Sequence, residues 1–235
     1  MHEPIEQVEY RGYIIEIFPD NSPENPREWD NLGTMICKHR RYSLGDVQAE
    51  NTGAYSSWDE YFEYEIEKKI RYKIISYPLY LLDHSGLRMN IEGFNDCDPH
   101  GWDWGQVGFI YCTYEDMRNW FGVKKITKKH VLKAKEILRN EVYIYDCFLI
   151  NDVAGFQIFD VNECMIESTY GYYPESTEHV SLPGKSRYQY VIDECKAIID
   201  NEIQDRIMKR GNKIRGWIKN HVPLHHRKFS AELSV

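Results

Sequence analysis

Two apolar runs near the middle of the chain most constrain its fold. The run at 106–112 reads QVGFIYC and has almost no polar residue, which is typical of a strand covered on both faces. The run at 77–82 reads YPLYLL and also predicts a strand, within 74–83. Its Pro78 cannot donate a ladder hydrogen bond, so a sheet edge or a bulge is expected there. The chain must therefore build a sheet with cover on both sides.

The remaining elements follow from periodicity and capping residues. Further strands are predicted at 11–18, 31–39, 87–91 and 153–160. The first two are expected to pair with each other in an antiparallel arrangement. Amphipathic helices are predicted at 58–70, 114–121, 128–150 and 187–208. Because strands and helices do not alternate regularly, we predict an α+β fold with a mixed or mainly antiparallel sheet and three or four amphipathic helices.

Charge is distributed unevenly along the chain. The net charge is −8, yet the segment from Arg206 to Lys228 contains eight Lys or Arg and no Asp or Glu, which leaves −16 on the remainder. We predict a single compact α+β domain at 1–205 and a basic C-terminal extension at 206–235. The extension is expected to bind nucleic acid through Lys209, Arg210, Lys213, Arg215 and Lys219. In the alternative, it folds back onto the acidic body.

The composition also predicts where the protein is located. The six Cys occur singly, without a Cys-x-x-Cys pair, which predicts a reduced protein inside the cell. The N-terminus lacks the charged start and apolar stretch of a signal peptide. No segment approaches the ~18 consecutive apolar residues that cross a bilayer. We therefore expect a cytoplasmic protein with no membrane partner.

A polar loop between the two apolar runs holds candidate contact residues. Together with a His-Arg-Arg triplet, they are Asp98, Trp102, Asp103, Trp104, His39, Arg40 and Arg41. The two Trp share one face if the chain is extended, and they either anchor a partner or pack beneath the loop. The Arg side chains either bind a phosphate or carboxylate or form surface ion pairs with the acidic body, and Arg40 would be the more specific contact if Asp46 orients it.

The same region supplies candidate metal ligands. Carboxylates and imidazoles that could converge on a divalent cation are Asp83, His84, Asp98, His100 and Asp103. Asp in such loops more often caps turns. No catalytic residue is assigned, because hydrolase, phosphate-loop and dinucleotide motifs are missing from the sequence. We expect no cofactor, with a divalent metal as the alternative.

Three segments carry a resemblance to a known group of sequences. They are WDNLGTMICKHRRYSLGD at 29–46, PLYLLDHSG at 78–86 and WGQVGFIY at 104–111. Together they resemble an uncharacterised protein family common in bacteriophages and prophages. The resemblance covers residues 10–201, implies a phage setting and brings no catalytic residue with it. The basic extension lies outside it.

These observations favour one function and leave two others open. The resemblance, the aromatic content and the acidic body favour a phage accessory protein that is not an enzyme and that inhibits a host defence factor of the restriction or CRISPR type. It would bind a host protein or ribonucleoprotein complex through an acidic, aromatic-rich surface, in the host bacterial cytoplasm. The second hypothesis is a metal-dependent hydrolase acting on nucleotides or nucleic acid. The third is a nucleic-acid-binding module that acts through the basic extension.

Overall fold

The computed structural model describes residues 3–176 and 186–227, which form two β-sheets and four α-helices. The strands are β1 (Glu6–Tyr10), β2 (Tyr13–Pro19), β3 (Thr34–Cys37), β4 (Val47–Gln48), β5 (Ile74–Asp83), β6 (Leu87–Asn90), β7 (Trp104–Thr113), β8 (Ala154–Phe159) and β9 (Met165–Tyr172). The helices are α1 (Trp58–Phe62), α2 (Tyr114–Phe121), α3 (Lys128–Leu149) and α4 (Gln189–His221). The predicted α+β class is confirmed.

A five-stranded sheet has the strand order β4-β3-β7-β5-β6 and is antiparallel except between β3 and β4. Its central strand β7 is covered on both faces, as its apolar sequence predicts. Ile110 and Cys112 pack against α3 residues such as Leu138, while Phe109 lies in a separate cluster with Phe62 of α1. The bulge expected near Pro78 occurs between Leu79 and Tyr80.

A four-stranded antiparallel sheet has the order β1-β2-β8-β9 and packs against the first half of α4. This arrangement corrects one expectation. The strands predicted at 11–18 and 31–39 do not pair, because β2 pairs with β1 and β8 in this sheet, whereas β3 pairs with β4 and β7 in the other. Strand β2 buries Ile15 and Ile17 completely, and these two side chains need the cover that α4 provides.

The helix starts follow the capping residues in the sequence. Ser57 Oγ accepts a hydrogen bond from the Glu60 amide at the start of α1, and Thr113 forms a capping box at the start of α2. Thr127 does the same for α3. Helix α1 departs from the prediction, because it ends at Phe62 and continues as a π-helical segment at Glu63–Glu67.

Helix α4 is longer than predicted. It runs without interruption to His221, so the end expected near Met208 was wrong. Gly211 and Gly216 lie within it, although each costs about 1 kcal/mol relative to Ala in a helix. The guanidinium of Arg227 donates hydrogen bonds to the carbonyls of Lys219 and Val222 and so caps the C-terminal end. Within the described residues, no helix has both the length and the apolar character needed to cross a membrane.

An ionic network centred on the buried side chain of Arg27 joins the segments before and after β3 to α3. The side chain of Arg27 is only 3% exposed, and it pairs with Asp46 at 2.6 Å and with Glu141 of α3 at 3.0 Å. Glu141 also accepts a hydrogen bond from the Leu32 amide, and Asp46 accepts one from the Met35 amide. The network therefore fixes the chain before and after β3.

Candidate functional site

A cleft of about 510 Å³ lies at the end of the five-stranded sheet where β3 and β5 finish and β7 begins. We call it the Trp102 cleft. It is lined by three segments: residues 38–41 after β3, Leu81 with Asp83 in β5, and residues 102–107 at the start of β7. Strand pairing brings the segments together, because Cys37 pairs with Gly108 and Leu82 pairs with Trp104. Residues that are remote in sequence thus share one surface.

Asp98 organises the loop that carries Trp102. Its carboxylate accepts hydrogen bonds from the amides of His100 at 3.2 Å and Asp103 at 2.9 Å. Its carbonyl accepts one from the indole of Trp104 at 2.8 Å. The amide of Asp103 is the largest of several effects that lower the pKa of Asp98. Asp98, which the sequence predicts as a contact residue or a metal ligand, therefore fixes the backbone of its own loop.

We expect Asp98→Ala to loosen this loop, because two backbone amides lose their acceptor. Amide hydrogen exchange at His100 and Asp103 should accelerate roughly tenfold, about the effect of one modest hydrogen bond. Because the folded pKa of Asp98 is depressed, its contribution is present in full above the ordinary value of 3.8 and is lost as the pH falls through the lowered pKa. NMR exchange rates across an acid titration would measure both effects.

Asp96→Ala is the matched control for this prediction. Asp96 lies in the same loop and is exposed, and it makes no side-chain hydrogen bond within the described part of the chain. Its replacement should leave the exchange rates at His100 and Asp103 unchanged. Equal acceleration in the two variants would show that Asp98 does not organise the loop.

The two Trp of the loop have different environments. Trp102 is 85% exposed, and its indole lies against the ring of His100 at 5.6 Å between centroids. Trp104 is half-buried and packs edge-on against Tyr80 and Phe94. The condition for both to share one face, an extended chain, is not met, because the chain bends between them before β7 starts. Trp104 packs beneath the loop, and Trp102 is free to contact a partner.

His39 and Arg41 meet the end of β5 across the cleft. Arg41 pairs with the carboxylate of Asp83, and the Nε2 atom of His39 lies 4.0 Å from the same carboxylate. The imidazole stacks on Tyr42 with 5.1 Å between centroids. Burial lowers the pKa of His39 despite the opposing effect of Asp83. The ion pair between Arg41 and Asp83 anchors the 38–41 segment to β5.

Lys38 and Arg40 lie on the same rim and are exposed. Neither forms an ion pair with a carboxylate of residues 3–176 or 186–227. Asp46 does not orient Arg40, because it binds Arg27 instead. The rim therefore presents two uncompensated cations next to Trp102, which suits an anionic group on a binding partner.

The five candidate metal ligands do not converge. Asp83 is engaged with Arg41, Asp98 with backbone amides, and Asp103 with His84 through a 2.7 Å contact. The ring of His100 lies against Trp102 instead. In the described portion of the chain, no group of three or more His, Cys, Asp or Glu side chains is arranged to hold a metal ion. Each of the three carboxylates already has a protein partner.

The candidate nucleic-acid contacts lie elsewhere, on the second half of α4. All five are exposed: Lys209, Arg210, Lys213, Arg215 and Lys219. The described part of the extension does not fold back onto the acidic body. Among the described residues, its ion pairs with the body are those of Arg206, with Asp160 at 3.9 Å and with Glu202, one turn earlier in the same helix, at 2.7 Å.

Sequence reasoning missed some of the residues that shape the cleft. Lys38 and Gln106 line it, and Arg27 with Glu141 supports it from within the core. One signal was available for the buried pair: Glu141 lies among apolar residues on the inward face of α3, where a lone carboxylate requires a partner. No pattern in the sequence pointed to Arg27 as that partner.

Comparisons with protein-family models, with curated proteins and with solved structures found no match to this chain.

Proposed function

We propose that this chain is a binding protein without catalytic activity, and that it docks on a host protein or ribonucleoprotein complex through the Trp102 cleft. The observation that carries the proposal is Trp102, which is 85% exposed on a loop whose backbone is fixed by Asp98. A large aromatic side chain on a rigid support loses little conformational entropy on binding. Trp and Arg are also the residues most enriched at the energetic centres of interfaces.

The charges of the cleft indicate what its partner presents. Lys38, Arg40 and Arg41 line the cleft against two carboxylates, Asp83 and Asp103, and Lys38 and Arg40 form no ion pair among the described residues. The surface beside Trp102 is therefore cationic, although the chain as a whole is acidic. We infer that the partner offers an apolar pocket for the indole with carboxylates or phosphates next to it.

The biological setting of the proposal comes from the resemblance to phage proteins. In that setting the partner is a host defence factor of the restriction or CRISPR type, bound and inhibited in the host bacterial cytoplasm. The alternative function was a metal-dependent hydrolase. We do not propose it, because the candidate metal ligands are engaged in the contacts described above.

A plating assay tests this function. Bacteria with an active restriction or CRISPR system would be challenged with a sensitive phage while expressing the chain, and expression should raise the number of plaques. Trp102→Ala should weaken partner binding by about 2 kcal/mol, roughly 30-fold, and so reduce the rescue. Trp120→Ala is the matched control, because Trp120 is a half-exposed Trp on α2. Full rescue by Trp102→Ala would contradict the role of the cleft.

An acidic surface that includes one half-exposed Tyr lies on α1 and the π-helical segment after it. Its acidic residues are Asp59, Glu60, Glu63, Glu65 and Glu67. Tyr64 is 48% exposed among them. The variant Asp59→Asn/Glu67→Gln removes two exposed charges outside ion pairs. If this variant abolished the rescue and Trp102→Ala did not, the contact would belong to the acidic surface.

A further inference from the structure

The second half of α4 has no cover in the described structure. Val191, Ile192, Cys195 and Ile199 are buried against the four-stranded sheet, but none of the described residues after Ile203 is buried. About 27 Å of helix, from residue 204 to 221, therefore carries no buried side chain, and Arg206 near its start reaches back to Asp160 at 3.9 Å and over the ring of Tyr13. We call this part the distal helix.

The distal helix is cationic along its whole length. It contains six basic side chains and no acidic residue after Asp205: Arg206, Lys209, Arg210, Lys213, Arg215 and Lys219. Arg206 pairs with Glu202 at 2.7 Å. The other five make no ion pair with any carboxylate that the structure describes. Their charges are available to an external anion.

Like charges are spaced unfavourably for an isolated helix. Arg206 and Arg210, Lys209 and Lys213, and Arg215 and Lys219 are each four residues apart. Each such pair destabilises a helix by about 0.2–0.5 kcal/mol. A polyanion lying along the helix would remove this repulsion, so the charge pattern is complementary to such a ligand.

Helical periodicity gathers four of the cations. At 100° per residue, Arg206, Lys209, Arg210 and Lys213 fall on one face of about 100°, and Trp217 lies within the same face. Ile207, Ile214 and Ile218 form an adjoining stripe with cations on both sides. This stripe is narrower than the apolar face of a helix that inserts into a lipid surface.

We propose that the distal helix binds the phosphate backbone of duplex DNA. An α-helix with its side chains is 10–12 Å wide, which matches a major groove about 12 Å wide. The deep, narrow major groove of duplex RNA does not admit it in the same way. A second copy of the chain does not fit, because pairing two distal helices would oppose six cations with six others.

Fluorescence anisotropy with the full chain and a labelled DNA duplex of about 20 base pairs tests the proposal. With about four phosphates contacted, affinity should fall roughly a hundredfold between about 50 and 200 mM salt. The variant Lys209→Gln/Arg210→Gln/Lys213→Gln should reduce the slope of log affinity against log salt by about three. Gln preserves helix propensity, and far-UV circular dichroism would verify the fold.

The matched control is Lys128→Gln/Lys129→Gln/Lys135→Gln, which removes three exposed Lys from α3. It should leave DNA affinity unchanged. The proposal is overturned if the wild-type chain does not bind the duplex at about 50 mM salt, or if the α3 variant loses as much affinity as the α4 variant. Equal affinity for anionic lipid vesicles, lost in Ile207→Ser/Ile214→Ser, would also overturn it and assign the helix to a lipid surface.

Discussion

Replacing Arg27 with Met is expected to lower the free energy of unfolding by about 3–5 kcal/mol, the cost of removing one partner from a buried ion pair. The guanidinium is 3% exposed and neutralises both Asp46 and Glu141. Although burial lowers the pKa of Arg27, the hydrogen bonds and charges of Asp46 and Glu141 outweigh it, and the net pKa is raised. The variant would leave the carboxylate of Glu141 buried without a cation. Chemical denaturation followed by circular dichroism measures the loss.

Arg71→Met is the control for this change. Arg71 is exposed and makes no ion pair within residues 3–176 and 186–227, so its replacement should stay within about 0.5 kcal/mol of the wild type. Adding Glu141→Gln to Arg27→Met should recover part of the stability, since the orphaned charge is then gone. A loss in Arg27→Met no larger than that in Arg71→Met would show that the network does not hold the fold.

After Arg27→Met, Gly108→Ala is expected to cause the largest loss of folding stability among the proposed variants. A Cβ atom at this position would lie 1.9 Å from the carbonyl oxygen of Ile36, which belongs to the backbone of the neighbouring strand. Strands β3 and β7 would have to separate where Cys37 pairs with Gly108. Because overpacking of this kind costs about 1–3 kcal/mol and occasionally more, a clear fall in the denaturation midpoint is expected.

The damage from Gly108→Ala should extend to the Trp102 cleft. The amide of Lys38 donates to the carbonyl of Val107 at 2.8 Å, and this bond sets the cationic rim beside the Trp102 loop. Gly105→Ala is the control, because it lies on the same strand and a Cβ atom there meets nothing within 4 Å. If the two variants were equally stable, the close approach of β3 and β7 would not be the constraint that we infer.

The strands predicted well are those in which apolar side chains continue along most of the length. Strand β5 occurs at 74–83 as expected, and β7 extends the predicted 106–112 run at both ends. The edge strands β1 and β9 are not predicted, because their side chains alternate between partial and full exposure and carry many polar residues. Each depends on its pairing with the strand next to it in the chain, β1 with β2 and β9 with β8, and has little apolar pattern of its own.

For the candidate site too, the sequence identified residues but not how the fold arranges them. The sequence identified the loop around Trp102 and the triplet at 39–41 as separate surfaces, and both lie on one cleft. It did not distinguish the exposed Trp102 from the half-buried Trp104, because that difference depends on a bend in the chain and on packing against Tyr80 and Phe94. It did not show that the carboxylate of Asp46 binds Arg27 rather than Arg40.

The sequence by itself determined the α+β class, the helix starts at 58, 114 and 128, and the double cover of β7, because each depends on residues adjacent in the chain or on one period of apolar side chains. Only the tertiary structure decided the division into two sheets and the partners of the charged groups. Those outcomes depend on which distant segments meet, and a charge shows its partner only when strand order and helix packing have brought the two together.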